Sequence, residues 1–221
     1  MGEMKKLAKI MTSLTLMGGI FVSANGVSAN TDVIQKSGPM IEFDDVTTDH
    51  WAYDDIKYLV YHLIMFGYGN GKFGVEDHIT REQAAAVLYR ALHVKGTVIN
   101  ENPYRDISVK STMFPYEILR LTQLGIFKGD ENGNFRPKAT LTRAELSQIL
   151  TKAYELKTKS PHTFTDIPEN YWARDAISAL QSNKVVVGTG DGKFEPEMLV
   201  TRGQFAKFLK RSIDNSPGKM E

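Results

Sequence analysis

The stretch LTRAEL, residues 141–146, precedes an apolar run and has the features of a helix start. Thr142 and Glu145 have the spacing of a capping box, in which each side chain satisfies a backbone donor at the helix N-terminus. Arg143 then takes the first helical position, where the macrodipole makes a cation mildly unfavourable. The same arrangement occurs twice more, as TREQ at 80–83 and TRGQ at 201–204. Three arginines at this position indicate a role that helix capping does not explain.

The Thr-Arg pairs belong to a longer repeat that fills most of the chain. The arginines lie 62 and 59 residues apart, and a Phe stands seven residues before each Thr. Each repeat opens with an aromatic residue, any residue, an Asp and an aliphatic residue, and a Gly lies six residues before the Phe. In chain order these positions are Arg81, Arg143 and Arg202; Phe73, Phe135 and Phe194; Asp45, Asp106 and Asp166; and Gly67, Gly129 and Gly188. So many fixed offsets indicate tandem repeats.

Each repeat is predicted to fold as a helix, a loop and a second helix. Apolar residues at 3.6-residue spacing mark the first helix, which begins near Ala52 in repeat one. In repeat one they are Ile56, Leu59, Val60, Leu63 and Ile64; in repeat two Leu119, Leu121, Leu124 and Ile126; in repeat three Ala173, Ala176, Ile177 and Leu180. The first repeated Gly is expected at the C′ position of this helix. After an Asn-Gly or Asp-Gly turn, the repeated Phe is expected to enter the core.

One helical pair cannot bury its apolar face alone, so three pairs are expected to share one core. The simplest closed arrangement is pseudo-threefold, with three equivalent grooves between neighbouring repeats. The sequence therefore predicts an all-α fold in which a site formed by one repeat recurs in the others.

The first 29 residues have the features of a secretory signal peptide. Lys5, Lys6 and Lys9 form a basic start, residues 10–22 are mostly apolar, and small residues at 27–29 fit a signal-peptidase site. The alternative is a membrane anchor, but the apolar run is too short to span a bilayer. Without this segment the chain has 24 basic and 25 acidic residues, which gives no electrostatic footprint for nucleic acid. The absence of cysteine excludes a disulfide framework and a thiol nucleophile.

No pattern makes a good case for catalysis or for a metal. The DENGN turn at 130–134 lacks the glycine and glutamate positions of an EF-hand loop, and the five histidines show no zinc-ligand spacing. Asp45, Asp106 and Asp166 stand one to a repeat, which fits a helix cap, a loop brace or a repeated binding position better than paired catalytic carboxylates. We expect no catalytic residue, no metal and no cofactor.

Two interpretations of the repeated arginine stay open from the residues alone. In the first, its stem covers apolar surface and its head pairs with an acid such as the repeated Asp. In the second, the free N–H donors of the helix start and the planar guanidinium fork together bind a carboxylate or phosphate. The second interpretation predicts that Arg143→Ala changes the unfolding free energy by no more than about 1 kcal/mol.

Trp51 and Trp172 add flat apolar faces of the kind on which sugar rings stack. Each tryptophan comes six residues after the repeated Asp, in repeats one and three. Repeat two takes eight residues to reach Phe114 instead. The repeats are therefore not identical at this position.

Over about residues 43–210 the chain resembles three tandem S-layer homology domains. The resemblance rests on the openings FDDV, YRDI and FTDI, the tryptophans, the loop Gly and Phe residues, and the Thr-Arg motifs. The segment GDENGNFRPKATLTRAE, from Gly129, is closest to the family pattern. The chain departs from that pattern at Phe114, at Gly74-Val75, where the other repeats have Arg-Pro or Glu-Pro, and at Gly203 in the first turn of the last helix.

The resemblance implies a pseudo-threefold spindle with a central three-helix bundle. The repeats would span 43–95, 104–156 and 164–213, between an N-terminal segment at 30–42 and a tail at 214–221. The implied function is non-catalytic anchoring of a secreted protein to the cell wall or S-layer of a Gram-positive bacterium. The implied ligand is a secondary cell-wall polysaccharide with ketal-linked pyruvate on N-acetylmannosamine, and S-layer proteins are further expected partners. The alternative is a structural S-layer-associated protein that acts through protein–protein contacts.

Carried over by motif, three kinds of residue are expected to meet the polysaccharide. The arginines would bind the pyruvyl carboxylate, the aspartates and tryptophans would contact sugar, and the loop glycines would let the backbone approach it. The implied site residues are Arg81, Arg143, Arg202, Asp45, Asp106, Asp166, Trp51, Trp172, Gly67, Gly129 and Gly188.

Overall fold

Six helices in three pairs form the regular structure of residues 42–97 and 102–216, which are the residues that the computed structural model describes. The helices are α1 (Tyr53–Tyr61), α2 (Arg81–Ala91), α3 (Pro115–Gln123), α4 (Arg143–Ala153), α5 (Arg174–Ser182) and α6 (Arg202–Asp214). Over these ranges the chain forms isolated β-bridges but no strand, which confirms the all-α prediction. None of these helices is long and apolar enough to cross a membrane. The predicted signal peptide lies outside the described residues.

Each second helix begins at a capping box, as the Thr-Arg motifs predict. In α4 the Glu145 N–H donates to the Thr142 hydroxyl at 3.2 Å, and the Thr142 N–H donates to Glu145 Oε2 at 3.0 Å. In α2 and α6, Gln83 and Gln204 occupy the position of Glu145 and form the same pair of bonds with the capping threonine. The repeated arginine is therefore the first residue of each second helix.

The first helices end in Schellman motifs, in which a left-handed residue at C′ is followed by a buried apolar residue at C″. In α1, Leu63 (φ 58°) donates its N–H to Val60 O at 3.0 Å, and Ile64 donates to Leu59 O at 2.8 Å. Gly125 and Lys184 occupy the same C′ position after α3 and α5, with φ of 72° and 60°.

The prediction that the first repeated Gly occupies C′ is wrong, because Gly67, Gly129 and Gly188 each come four residues later. The helix end is set by the apolar C″ residue, which must reach the core, since the C′ residue is a glycine only after α3. The same geometry explains two errors in the predicted core. Leu63, at C′, and Leu124, at the C-cap of α3, are 63% and 51% exposed.

Helices pack mainly across repeat boundaries, with α2 against α3, α4 against α5, and α6 against α1. The last of these contacts closes a cycle from repeat three back to repeat one. A ring of backbone hydrogen bonds links the three repeats: Leu141 donates to Ile79 O at 3.2 Å, Ile79 to Val200 O at 3.0 Å, and Val200 to Leu141 O at 2.9 Å. These equivalent bonds give the described part of the chain its pseudo-threefold symmetry.

The loop phenylalanines enter the core, as predicted. Phe73, Phe135 and Phe194 have no exposed surface. Each lies close to the aromatic residue that opens its repeat, with ring centroids 5.2–5.4 Å apart. The loop of each repeat is thus held against the core by an aromatic pair.

Candidate ligand-binding grooves

Each repeated arginine extends from its own repeat into the loop of the next. Nε of Arg143 donates to Phe194 O at 2.7 Å, and Nη2 donates to Val187 O at 3.2 Å. The corresponding acceptors are Phe135 O and Lys128 O for Arg81, and Phe73 O and Phe66 O for Arg202. Each guanidinium also lies 4.4–4.8 Å from the ring centroid of the same core phenylalanine. All three arginines therefore join neighbouring repeats.

The three guanidinium groups are almost fully buried. Arg81, Arg143 and Arg202 are only 4–5% exposed, and burial lowers the pKa of Arg143 to about 10 and the pKa of the other two in the same direction. Their main partners are backbone carbonyls and not the repeated aspartates. An arginine so placed contributes to packing. Arg143→Ala is therefore expected to lower the unfolding free energy by more than the limit of about 1 kcal/mol that the anion-site interpretation predicts.

The backbone donors at the start of each second helix are already occupied. In α4 the N–H groups of Arg143 and Ala144 donate to Met198 O and Pro196 O, each at 2.9 Å, and the Glu145 N–H donates to the capping threonine. The N–H groups of the first three residues of α2 and α6 are used in the same way. The free N–H donors that the anion-site interpretation expects are thus committed within the protein.

The repeated aspartates brace the loops of their own repeats. Asp45 accepts the backbone N–H groups of Phe73, Gly74 and Val75 at 2.6–3.1 Å. Asp106 and Asp166 accept the corresponding pairs Phe135 and Arg136, and Phe194 and Glu195. Burial alone would raise the pKa of Asp45 and Asp166, but the backbone N–H groups lower it below the ordinary value of 3.8.

The aspartate stabilises a left-handed residue after each core phenylalanine. The φ angles are 76° at Gly74, 59° at Arg136 and 56° at Glu195. Of the structural roles predicted for the aspartate, the structure shows the loop brace. The helix cap is not its role, because α1, α3 and α5 have no side-chain cap. Contact of these aspartates with sugar stays a prediction.

The first repeated glycines allow the loop to pack closely on the opening aromatic residue. A Cβ atom on Gly67 would lie 2.5 Å from both the Phe43 ring and Lys72 O. Equivalent contacts arise at Gly129 with Tyr104 and Asn134 O, and at Gly188 with Phe164 and Lys193 O. Gly129 also borders a cavity of about 400 Å³ in repeat two, with Lys128, Asp130 and Lys152 in its lining. Approach of these glycines to sugar stays a prediction.

The two tryptophans lie at two of the three repeat boundaries. Trp51 O accepts Lys207 Nζ of α6 at 3.1 Å, and Trp172 O accepts Gln148 Nε2 of α4 at 3.1 Å. Their side chains are about half exposed, at 48% and 56%. Trp51 therefore shares a boundary with Arg202, and Trp172 shares one with Arg143.

A model of the S-layer homology domain matches this chain three times, at residues 42–85, 103–147 and 163–206. These matches cover more than half of the chain. The chain belongs to the S-layer homology domain family. Each matched range opens just before the repeated Asp motif and ends within the second helix of its repeat.

Curated relatives match most of this chain but are much longer. An S-layer protein of Bacillus licheniformis is 32% identical over 171 residues, which are 76% of this chain and 19% of the relative. A cellulosome-anchoring protein of Acetivibrio thermocellus is 32% identical over 168 residues, 72% of this chain and 36% of the relative. An endoglucanase of Bacillus sp. (strain KSM-635) is 26% identical over 218 residues, 94% of this chain and 22% of the relative. The chain thus spans 19–36% of the length of these relatives.

We name the three grooves between S-layer homology repeats after their arginines: the Arg81 groove between repeats one and two, the Arg143 groove between two and three, and the Arg202 groove between three and one. In the Arg81 groove, Glu145 Oε1 lies 3.7 Å from Arg81 Nη1 and 3.4 Å from Arg136 Nη2. Gln204 and Gln83 occupy the corresponding positions in the other two grooves. No acidic residue in 42–97 or 102–216 forms an ion pair with Arg143 or Arg202.

Two departures from the repeat pattern compensate each other in the Arg202 groove. Gly203 donates its N–H to Val75 O at 2.9 Å, and a Cβ atom on Gly203 would lie 2.8 Å from Val75 Cγ2. Val75 replaces the proline found in repeats two and three, so the bulkier β-branched residue faces a residue without a side chain. The sequence shows both departures, but only the cyclic closure of repeat three on repeat one brings them together.

Proposed function

We propose that this chain anchors to the Gram-positive cell envelope by binding a pyruvylated secondary cell-wall polysaccharide between its repeats, and that it is not itself an enzyme. The observation that carries the proposal is a buried guanidinium that shares a repeat boundary with a half-exposed tryptophan, as Arg202 does with Trp51 and Arg143 with Trp172. A pyruvyl carboxylate is the anion that a planar guanidinium binds well, and a sugar ring offers an apolar face to an indole.

The geometry limits how such a carboxylate approaches. The two inter-repeat bonds of each arginine use Nε and Nη2, so a ligand would approach at Nη1. The carbonyl bonds fix the guanidinium in place before any ligand arrives. Binding to a preorganised side chain requires little further ordering, which favours affinity.

The relatives support an anchoring role. Proteins named as an S-layer protein and as a cellulosome-anchoring protein share these repeats. An endoglucanase also shares them, over 22% of its length, which fits an attached module and not the catalytic part. We propose secretion through the predicted signal peptide, with the mature chain starting at Asn30; N-terminal sequencing of the protein from the culture or cell wall tests this.

Co-sedimentation of the mature chain with purified cell walls tests the anchoring proposal. We expect binding to native walls, loss of binding after extraction of the pyruvylated polysaccharide, and competition by the extracted polymer. Walls that keep the polymer but lack its pyruvyl groups serve as the matched control, and they are expected to bind weakly. Full binding to stripped walls would contradict the proposal.

The second candidate is a structural role in the S-layer through protein–protein contacts, which is favoured by the similarity to S-layer proteins. Reconstituted S-layer sheets without cell wall distinguish the two. Sedimentation with these sheets, together with no binding to sheet-free walls, would support the second candidate.

A further inference from the structure

We infer that the three grooves are unequal, with the Arg202 groove as the principal site for an acidic sugar and the Arg81 groove closed to one. The inference rests on the proposed function and adds which of the three grooves binds the sugar. It follows from differences in aromatic surface, available space and internal charge pairing among three boundaries whose arginines are otherwise equivalent.

Of the three repeated arginines, Arg202 is the one with a half-exposed aromatic ring beside its guanidinium. The Tyr68 ring centroid lies 4.9 Å from the Arg202 guanidinium carbon, and the Phe73 ring centroid lies 4.7 Å from the same carbon. Tyr68 and Trp51 are each about half exposed, whereas the Phe66 ring lies 5.0 Å from the Arg90 guanidinium carbon and offers Arg202 only its carbonyl. In the Arg143 groove the positions of Phe66 and Tyr68 hold Val187 and Thr189, and in the Arg81 groove they hold Lys128 and Asp130.

A glycine makes room for the Tyr68 ring. A Cβ atom on Gly74 would lie 2.4 Å from the Tyr68 ring, whereas repeats two and three have Arg136 and Glu195 at this position. A Cβ atom on Gly203 would lie 3.4 Å from the Trp51 ring, an ordinary van der Waals contact, so Gly203 makes room for Val75 and not for the tryptophan. The space beside the Tyr68 ring therefore depends on Gly74.

Charge pairing separates the Arg81 groove from the other two. In the Arg202 groove the nearby Asp77 accepts the Tyr68 hydroxyl at 2.9 Å, which fixes the ring, and Lys207 lies 5.1 Å from the Trp51 ring centroid. Lys207 is itself 4.0 Å from Asp55. Arg202, like Arg143, thus has no acid of the described residues within 4 Å, so both grooves keep an unpaired cation.

The cations of the Arg81 groove already pair with acidic residues of the protein. Glu145 pairs with Arg81, and Arg136 links Glu145 to Asp130, with 3.6 Å between Arg136 Nε and Asp130 Oδ2. An incoming carboxylate would meet Glu145 beside the guanidinium, and like charges at this distance repel. The boundary also has Phe114 in place of a tryptophan.

The two tryptophans of the chain give each open groove its own reporter. Trp172→Phe leaves Trp51 as the reporter of an unaltered Arg202 groove, and Trp51→Phe leaves Trp172 for the Arg143 groove. Each of the two variants is titrated with pyruvylated N-acetylmannosamine and with the same sugar lacking pyruvate. We expect the Trp51 signal to saturate at a sugar concentration about tenfold lower than the Trp172 signal.

A second measurement removes the Tyr68 ring in each of these two single-tryptophan variants. Tyr68→Thr introduces the residue that repeat three has at this position, and it is expected to weaken binding at Trp51 about tenfold while binding at Trp172 is unchanged. Tyr61→Thr, which removes a 60% exposed tyrosine at the end of α1, is the matched control. Circular dichroism melting of each variant shows whether it is folded.

Calorimetry of the unaltered chain with the pyruvylated sugar completes the test, and fewer than three equivalent sites are expected. Three equal sites, tighter binding at Trp172, or an unchanged Trp51 affinity in Tyr68→Thr would overturn the inference while leaving the proposed function standing. No binding of the pyruvylated sugar in any groove, together with full binding to stripped walls, would overturn the proposed function itself.

Discussion

The charge of Arg143 is unfavourably placed only when its own helix is considered. The cation at the first position of α4 acts against the macrodipole, a cost of about 0.3–1 kcal/mol for an exposed charge. Its guanidinium instead bonds two carbonyls of the next repeat and lies over the Phe194 ring at 4.4 Å. Charge-assisted hydrogen bonds of this kind contribute about 1.5–3 kcal/mol each, which exceeds the dipole term. The repeated arginine therefore stabilises the boundary between repeats.

Replacing this arginine tests its structural role. Arg143→Ala is expected to lower the unfolding free energy by about 2–4 kcal/mol, because Phe194 O and Val187 O lose their donor. Arg143→Lys is expected to lose less, since an ammonium bonds a carbonyl but lacks the planar fork. Urea denaturation measures both. Arg136→Ala, which removes a half-exposed arginine, is the control and is expected to change stability by less than about 1 kcal/mol. Equal losses in Arg143→Ala and Arg136→Ala would contradict the role.

Asp166 should make stability depend on pH in the acid range. Its folded-state pKa is lowered below 3.8, so its contribution is complete above about pH 4 and is lost as pH falls through the folded-state pKa. Asp166→Asn is expected to lower the urea midpoint at neutral pH and to flatten the decline below about pH 4. Asp191→Asn, an exposed loop position, should follow the unaltered chain. Parallel declines for Asp166→Asn and the unaltered chain would show that Asp166 does not brace the loop through its charge.

At the scale of the element, the helix starts could be predicted from the sequence and the helix ends could not. The capping box is a local pattern of four residues, so Thr80, Thr142 and Thr201 identify α2, α4 and α6 directly. The end of α1 depends on which apolar residue reaches the core after the helix. Leu63 adopts a left-handed conformation there because Ile64 is buried next to it, a tertiary condition that local glycine preference does not reveal.

The caps themselves carry a measurable share of stability. Thr142→Ala is expected to lower the unfolding free energy by about 1 kcal/mol, because the Glu145 N–H loses its acceptor at the start of α4. Thr142→Ser keeps the hydroxyl and should recover most of the loss. Thermal unfolding followed by circular dichroism compares the two variants. A serine variant as unstable as the alanine variant would mean that the threonine methyl group, and not the cap, is what matters.

At the scale of the whole molecule, the sequence predicted the threefold repetition but not the partners within it. The helices of one repeat were expected to form a pair, yet α2, α4 and α6 pack on the first helix of the following repeat. Each arginine likewise acts in the next loop. Only this cyclic arrangement places Gly203 against Val75 and Trp51 beside α6, although these residues are more than a hundred positions apart. The candidate residues could therefore be named from the motifs, whereas their grouping into grooves required the structure.

This cyclic closure predicts that the three repeats unfold together. Repeat one buries α1 against α6 of repeat three, and the ring of bonds among Ile79, Leu141 and Val200 is lost if any repeat opens. In urea, Trp172→Phe reports repeat one through Trp51, and Trp51→Phe reports repeat three through Trp172. In each variant the fluorescence midpoint is expected to coincide with the circular dichroism midpoint of the same variant, as for a two-state unit. A linear array of independent repeats would instead give tryptophan midpoints that depart from the helical signal, and that outcome would rule out a closed three-repeat core.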